Sequence, residues 1–314
     1  MHIVPTFSFG FVLLSLAAMG CDSAPSDPMG AGGTSSTLSG TGGAMCGSVT
    51  VAEPVNDTGG CTPGELPGLP GSMNGQVGER LFCIGNRQYL LQINEWGSTA
   101  AQTMDYGGGS YYFKMSRQEG TGNTSGAPTG FPSMFIGANA GRTTPGSGLP
   151  KLVSSIASAP TTWNWTDNGA TEAANANNIY NATYDVWFST SSAGEPTKSC
   201  PSGGFLMVWL HKPSRAQPIG SVINAAVTIA GIPGTWDVWI GPNNGCGVPC
   251  ISYVRKEDPA YSMSFDLNLF IKDAVNNRPN TITNAMYLTN VFTGFEIWSG
   301  GVGLQTTDFC AGVN

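Results

Sequence analysis

The chain has 314 residues, of which only 11% are charged, and its formal net charge is −7. That charge disfavours a polyanion such as nucleic acid as a partner, whereas neutral polymers remain open. The 40% hydrophobic residues, with 8 Trp, 9 Tyr and 14 Phe, argue against disorder for most of the chain. The 44 Gly and 21 Pro with few charges are typical of an exported β-sandwich with many turns.

Residues 1–20 predict a signal peptide for export. The apolar run from Phe7 to Met19 is too short to span a bilayer, and it ends in small residues. The Ala-Met-Gly sequence before Cys21 resembles the cleavage box of a bacterial lipoprotein, so we expect Cys21 to carry a lipid. An ordinary secretory signal with a chance cysteine is the alternative. We therefore expect the protein on the outer surface or in the periplasm if it is anchored, and secreted otherwise.

Three further regions follow the signal peptide. Residues 21–45 are mostly Gly, Ser, Thr, Ala and Pro, which predicts a flexible tether behind the lipid. Residues 46–77 form a Gly- and Pro-rich N-terminal extension, and residues 78–314 show strands separated by turns. No later segment has 18 uninterrupted apolar residues, so we expect membrane contact only through the lipid.

One helix is expected in the main domain, near Phe265 to Asn277, because Leu267, Phe270, Ile271 and Ala274 recur at helical spacing. One helix among many strands predicts an all-β sandwich.

The cysteines favour disulfides over metal ligation, because the chain is expected to be exported and has only two histidines, His2 and His211. We therefore expect neither a metal nor a cofactor. Three residues separate Cys246 from Cys250 in a turn-rich loop, and such a gap can bring two Cα atoms within the ~4.4–6.8 Å that a disulfide needs. We predict a disulfide between these two cysteines.

Several strands alternate with period two, which assigns their side chains to two faces. One face is aliphatic or aromatic throughout, as in Leu206, Val208 and Leu210. The other face mixes acids with large aromatic rings. Its members are Asp185, Trp187, Phe205, Met207, Trp209, His211, Asp237, Trp239, Glu296 and Trp298.

The mixed face predicts a sugar-binding cleft. Flat aromatic rings stack on the apolar faces of pyranoses, and carboxylates bond hydroxyls or act as acids and bases. A second core face with buried aromatics is the alternative, and periodicity alone does not separate the two.

Five segments resemble glycoside hydrolase family 12, in the order that the family has them. They are Gln92–Gly97, Phe131–Gly137, Ser147–Pro150, Tyr184–Phe188 and Gly294–Gly301. The resemblance implies a β-jelly roll of two antiparallel sheets, whose concave sheet binds β-1,4-linked glucan or xyloglucan. It also implies hydrolysis with retention, by two Glu residues and no metal, with the two carboxyl groups about 5–5.5 Å apart.

The resemblance assigns roles to residues of this chain. Glu296 matches the general acid/base, and Asp185 matches the residue that hydrogen-bonds the nucleophile. Asn94 and Trp96 match a substrate-bonding Asn and a stacking Trp. Met207, Trp209 and Trp298 match positions that line the cleft. The family also often ties its N-terminal strand by a disulfide, which suggests Cys61–Cys83 here.

The nucleophile is the departure from the family pattern, which has Glu, a hydrophobic residue, Met, a hydrophobic residue and Trp. Phe205 stands at the Glu position, before Leu206-Met207-Val208-Trp209. A phenyl ring cannot attack an anomeric carbon, and loss of a nucleophile typically costs several powers of ten in rate. Glu195 could replace it only if its loop folded over the cleft. Asp185 could act as a base only in an inverting reaction, which needs carboxylates ~6.5–9.5 Å apart.

Three functions therefore stay open for the sequence. The chain is an endo-β-1,4-glucanase or xyloglucanase with altered chemistry, a cell-surface lipoprotein that binds β-glucan without cutting it, or a structural surface lipoprotein. In each case we expect a monomer.

Overall fold

The structure is a computed structural model, and it describes residues 38–39, 71–74, 79–84, 87–98, 102–107, 110–118, 126–139, 142–144, 147–193, 200–243 and 245–314. The expected signal peptide, Cys21, most of the tether and extension, and Glu195 lie outside the described residues. Within those residues no helix is long and apolar enough to cross a membrane.

Strands dominate the described part of the chain. The strands are β1 (Leu38–Ser39), β2 (Gly71–Asn74), β3 (Glu79–Ile84), β4 (Arg87–Gln92), β5 (Gln102–Tyr106), β6 (Phe113–Gln118), β7 (Ser133–Asn139), β8 (Arg142–Thr143), β9 (Lys151–Leu152), β10 (Pro160–Thr166), β11 (Ile179–Tyr180), β12 (Ala182–Ser189), β13 (Gly204–His211), β14 (Ser221–Ile229), β15 (Ile232–Asn243), β16 (Val248–Arg255), β17 (Ser262–Asp266), β18 (Tyr287–Gly294), β19 (Ile297–Ser299) and β20 (Gln305–Ala311). A 3-10 helix covers Val153–Ser155, and helix α1 covers Leu267–Asn277.

The strands form two large sheets. The smaller sheet has the order β1-β17-β10-β20-β6-β5-β2, and the larger has β14-β15-β16-β13-β12-β18-β7-β4-β3, with β8 and β9 at its side. The pairs β1–β17 and β13–β16 are parallel, and the other pairs are antiparallel. The expected all-β jelly roll with one short helix is confirmed.

The core lies between the two sheets, because period-two alternation sends one face of each sheet inward. Tyr184 of the larger sheet packs against Trp163 and Phe265 of the smaller sheet, with ring centroids 5.7 and 5.1 Å apart. Leu206, Val208 and Leu210 of β13 belong to the same buried cluster. The aliphatic face predicted for β13 is therefore the core face.

Helix α1 begins at Leu267 because Asp266 caps it, its carboxylate accepting the N–H of Asn268 at 3.0 Å. The four residues that recur at helical spacing, Leu267, Phe270, Ile271 and Ala274, are all buried. The predicted helix is confirmed, two residues shorter at its start.

The predicted Cys246–Cys250 disulfide is wrong. Cys246 is bonded to Cys200 instead, with their Cα atoms 5.5 Å apart. Cys246 lies in the turn between β15 and β16, whereas Cys250 lies within extended β16, which leaves the turn at about 3.3 Å per residue. Cys250 and Cys310 are also disulfide-bonded. The suggested Cys61–Cys83 bond lies outside the described side chains.

Candidate functional site

Most of the mixed face predicted from the sequence lies on the outer face of the larger sheet, and Trp298 lies beside it in β19, which pairs with β11. The placement of His211 on this face is wrong, because its ring lies 5.1 Å from Tyr180 and 6.1 Å from Trp165, which belong to the core. In the register of the larger sheet Asp185 is opposite Met207, Trp187 is opposite Phe205, and Thr183 is opposite Trp209. This face carries a second hydrophobic cluster, separate from the core. Its buried members are Leu90, Phe131, Phe135, Ile179, Trp187, Phe205, Met207, Trp209, Ala216, Ile219, Cys250, Val254, Phe292 and Trp298.

Phe205 lies in the middle of this face. Its side chain is 2% exposed, and its ring makes an edge-to-face contact with Trp187, with centroids 5.3 Å apart. On its other side it is in register with Cys250 of β16. The position at which the family pattern has a carboxylate is therefore an apolar position on the face that carries Asp185.

Asp185 is the acid nearest in register to Phe205. Its side chain is 4% exposed, and the Trp187 indole N–H donates to its Oδ2 at 2.9 Å. Its Oδ1 has no hydrogen-bond partner within the described structure. Phe292 and Met207 are its cross-strand neighbours. Burial raises the pKa of Asp185 to about 7, and the hydrogen bond from Trp187 lowers it in part.

Glu296 is buried at 1% exposure and is held by Asn181. The Asn181 side-chain amide donates to Glu296 Oε2, and the Asn181 Oδ1 accepts the Glu296 backbone N–H at 2.9 Å. The Asn181 backbone N–H in turn donates to the Glu296 carbonyl at 2.9 Å. One asparagine thus fixes both the backbone and the carboxylate of the candidate acid/base. Asn181 is not predictable from the sequence, because 115 residues separate it from Glu296 and no local pattern marks it.

Asn94 and Trp96 follow β4 and lie beside the cluster. Asn94 has a φ of 39°, and its carbonyl accepts the N–H of Phe131 at 2.8 Å. The Trp96 N–H donates to the Thr129 carbonyl at 2.9 Å. Trp96 is only partly buried and packs against the rim of the cluster. Its ring is therefore more accessible than those of the buried tryptophans.

Three further tryptophans complete the face. The Trp209 and Trp298 rings are 6.2 Å apart, and the Trp298 indole donates to the Gly126 carbonyl. Trp239 packs at the rim and is partly buried. The indole nitrogens of Trp209 and Trp239 have no acceptor among the described residues. Trp239 belongs to the mixed face predicted from the sequence, although the family resemblance assigns it no role.

The face therefore brings together Asp185, Phe205, Met207, Trp209 and Trp298, with Trp96 at its rim. Its chemistry is that of the buried acids Asp185 and, two residues before Trp298, Glu296, with a set of rings and two indole N–H groups that have no acceptor among the described residues. Among the described residues no group of three or more His, Cys, Asp or Glu could hold a metal ion.

The sequence of the chain is similar to a known protein family and to several of its characterised or probable members. The profile of glycosyl hydrolase family 12 matches residues 87–314. A probable cellulase, Cel12b of Mycobacterium tuberculosis, is 30% identical over 171 residues, which are 54% of this chain and 99% of that protein. Xyloglucan-specific endo-beta-1,4-glucanase A of Emericella nidulans is 32% identical over 150 residues, 47% of this chain. The match spans only 55% of that fungal protein.

Solved structures agree on the fold. A metagenome-derived glycoside hydrolase family 12 endoglucanase superimposes with a TM-score of 0.66 at 30% identity, covering 78% of this chain and 98% of that one. Endoglucanase cel12A from Rhodothermus marinus gives a TM-score of 0.64 at 30% identity, covering 77% and 98%.

Proposed function

The chain belongs to glycosyl hydrolase family 12, and from that premise we propose that it binds β-1,4-linked glucan or xyloglucan on the outer face of its larger sheet without hydrolysing it at an appreciable rate. The observation that carries this proposal is Phe205, a buried phenyl ring beside Asp185 where a retaining enzyme needs an attacking carboxylate.

Retention requires a covalent glycosyl intermediate, which forms when a carboxylate oxygen attacks the anomeric carbon as the acid/base protonates the leaving oxygen. Glu296 remains available as the acid/base. Phe205 has no lone pair with which to attack the anomeric carbon, and Leu206 beside it faces the core. Removal of a nucleophile typically costs several powers of ten in rate, so we expect turnover near the background.

Asp185 is a poor substitute for the missing nucleophile. Burial raises its pKa to about 7, so at mildly acidic pH it is largely the neutral acid, which neither attacks carbon nor accepts a proton from water. Its Oδ2 is engaged by the Trp187 indole, and its cross-strand neighbours are apolar. These contacts favour binding through Asp185 over an inverting reaction that uses it as a base.

Binding requires less than catalysis and is supported by what the face retains. Trp96 and Trp239 are partly buried at the rim, so they can present ring surface to a pyranose. Asn94 is partly buried and offers its side-chain amide to sugar hydroxyls. A neutral polymer also suits a chain with few charged residues.

We also propose that the protein is exported and carries a lipid on Cys21, which would place the glucan-binding face at a bacterial cell surface. The support is the small-residue junction before Cys21 and the Gly- and Ser-rich sequence behind it. Mass spectrometry of the mature N-terminus should find a diacylglyceryl-modified Cys21. An unmodified N-terminus at another residue would exclude the anchor.

Isothermal titration calorimetry tests the binding directly. We expect wild-type protein to bind cello-oligosaccharides or xyloglucan oligosaccharides, and we expect Trp96→Ala to weaken binding several-fold, since one stacked ring contributes about 1 kcal/mol. Thermal melting of Trp96→Ala should match that of the wild type within a few degrees. Absence of heat with every β-1,4-glucan, from folded wild-type protein, would remove the proposal.

A further inference from the structure

The segment that carries Asn94 and Trp96 is joined to the strand after Glu296. Antiparallel bridges link Glu95 to Gly130 and Gly130 to Ile297. Glu95 lies between Asn94 and Trp96 in the sequence, and its side chain is 4% exposed.

Gln102 lies beside this segment. It faces the core from β5, as Met104 does, and it is fully buried. Its side-chain amide donates to the Ile93 carbonyl at 2.7 Å. Its Oε1 has no donor among the described residues, and Glu95 Oε1 also has none. Two buried oxygens on neighbouring side chains are thus left without a hydrogen.

Gly130 brings these two groups close together. A Cβ atom at Gly130 would lie 3.3 Å from Glu95 Cα and 3.7 Å from Gln102 Oε1. Gly130 therefore has no side chain that would stand between the Gln102 oxygen and Glu95. Two oxygens can form a hydrogen bond only if one of them carries a proton, and Gln102 Oε1 is an acceptor only.

The surroundings of Glu95 do not compensate a negative charge. Within the described structure no basic side chain forms an ion pair with it. Asp105 of β5 is on the opposite face of that strand from Gln102, and Glu296 beside Ile297 is held by Asn181. Burial raises the pKa of Glu95 to about 7, and a hydrogen bond from Ser98 lowers it in part.

We propose that Glu95 is a positioning residue of the glucan-binding face, whose neutral carboxyl O–H donates to Gln102 Oε1 and holds the Asn94–Trp96 segment against Gly130. This inference rests on the proposed glucan binding. Ionisation of Glu95 removes the donor and places a negative charge beside the Gln102 oxygen. The segment is then held less firmly, and glucan affinity falls as the pH rises through about 7.

Infrared spectroscopy tests the protonation without any glucan. Carboxylic-acid carbonyl absorption should be present at about pH 5.5, disappear with a midpoint near 7, and be weaker in Glu95→Gln, which keeps only the contribution of Asp185. Asp185 is the other buried acid with such a pKa, so Asp185→Asn is the matched comparison: its spectrum should keep the Glu95 band. An Asp185→Asn protein with no acid band that titrates near pH 7 would overturn the proposal, even if Glu95→Gln failed to fold.

Calorimetry at about pH 5.5 and pH 8.5 tests the positioning role. Wild-type affinity for a cello-oligosaccharide should fall several-fold at the higher pH. Glu95→Gln should lose most of this fall, because its amide N–H donates to Gln102 Oε1 at any pH. The double variant Glu95→Gln/Asp185→Asn, which also lacks the other buried acid with a pKa of about 7, should bind equally well at both. A Glu95→Gln protein that keeps the wild-type pH dependence would overturn the proposal. Wild-type protein that binds no glucan at either pH would remove the proposed function, and the infrared titration would then decide the Glu95–Gln102 contact alone.

Discussion

Phe205 decides the chemistry at the scale of a single residue. Its ring fills the space beside Trp187, and the acids that would serve a nucleophile, Asp185 and Glu296, are both still present. Under the proposed function, the fold therefore keeps the partners of a reaction whose nucleophile is missing.

A carboxylate at position 205 should restore hydrolysis of β-glucan. We expect Phe205→Glu to release reducing sugar from β-glucan at least tenfold faster than Phe205→Gln, its uncharged isostere, and we expect Glu296→Gln in the same background to abolish the gain. The increase will be modest because the site is packed around a phenyl ring, and a misplacement of about 1 Å costs orders of magnitude. A folded, glucan-binding Phe205→Glu with the rate of Phe205→Gln would contradict the assignment of this position.

The buried Asp185 makes stability depend on pH. Its pKa is about 7 in the folded protein and near 3.8 when exposed, so between these values the native state holds a proton that the unfolded state has released. The free energy of unfolding should therefore fall as pH rises from about 4 to 7, by at most ~1.4 kcal/mol per pH unit for one group.

Urea denaturation across that range measures the effect. The fall in unfolding free energy per pH unit should be smaller in Asp185→Asn but not zero, because the pKa of Glu95 is also raised by burial. An unchanged slope in Asp185→Asn would show that Asp185 is ionised in the folded state.

At the scale of elements, period-two alternation predicted the two faces of β12 and β13, since a strand fixes which side chains share a side. The same local logic predicted helix α1. Contacts between distant segments were not predictable. Asn181 holds Glu296 across 115 residues, and Gly130 lies against both Glu95 and Gln102, which no spacing reveals.

The disulfide error has the same origin. Spacing allowed Cys246–Cys250, but β16 begins at Val248 and carries Cys250 away from the turn. Cys246 instead closes a loop with Cys200, 46 residues earlier, and ties the approach to β13 to the β15–β16 turn.

Removing this bond should destabilise the strand that carries Phe205. We expect Cys200→Ser/Cys246→Ser to lower the free energy of unfolding by about 2–4 kcal/mol, because a closed loop of this length restricts the unfolded chain. Denaturant titration measures the change, and non-reducing peptide mapping checks the connectivity. A peptide that joins Cys246 to Cys250 would contradict it.

At the scale of the whole molecule, a protein can keep the jelly roll and the side chains of the proposed glucan-binding face after it has lost the catalytic reaction. The fold determines where side chains are placed, whereas the reaction depends on which residues stand in the site. Two sheets packed on one core hold the outer face of the larger sheet rigid. Rim tryptophans and buried acids stay in place whether or not a nucleophile stands at position 205. We therefore expect binding and hydrolysis to be separable in this protein.

The rate of reducing-sugar release from β-glucan and xyloglucan by wild-type protein tests this separation most directly, with Glu296→Gln as the reference. We predict equal rates for the two proteins, at the background, under conditions in which calorimetry shows that both bind the polysaccharide. A wild-type rate several powers of ten above that of Glu296→Gln would contradict the proposed function and show that another carboxylate has taken the nucleophile's role.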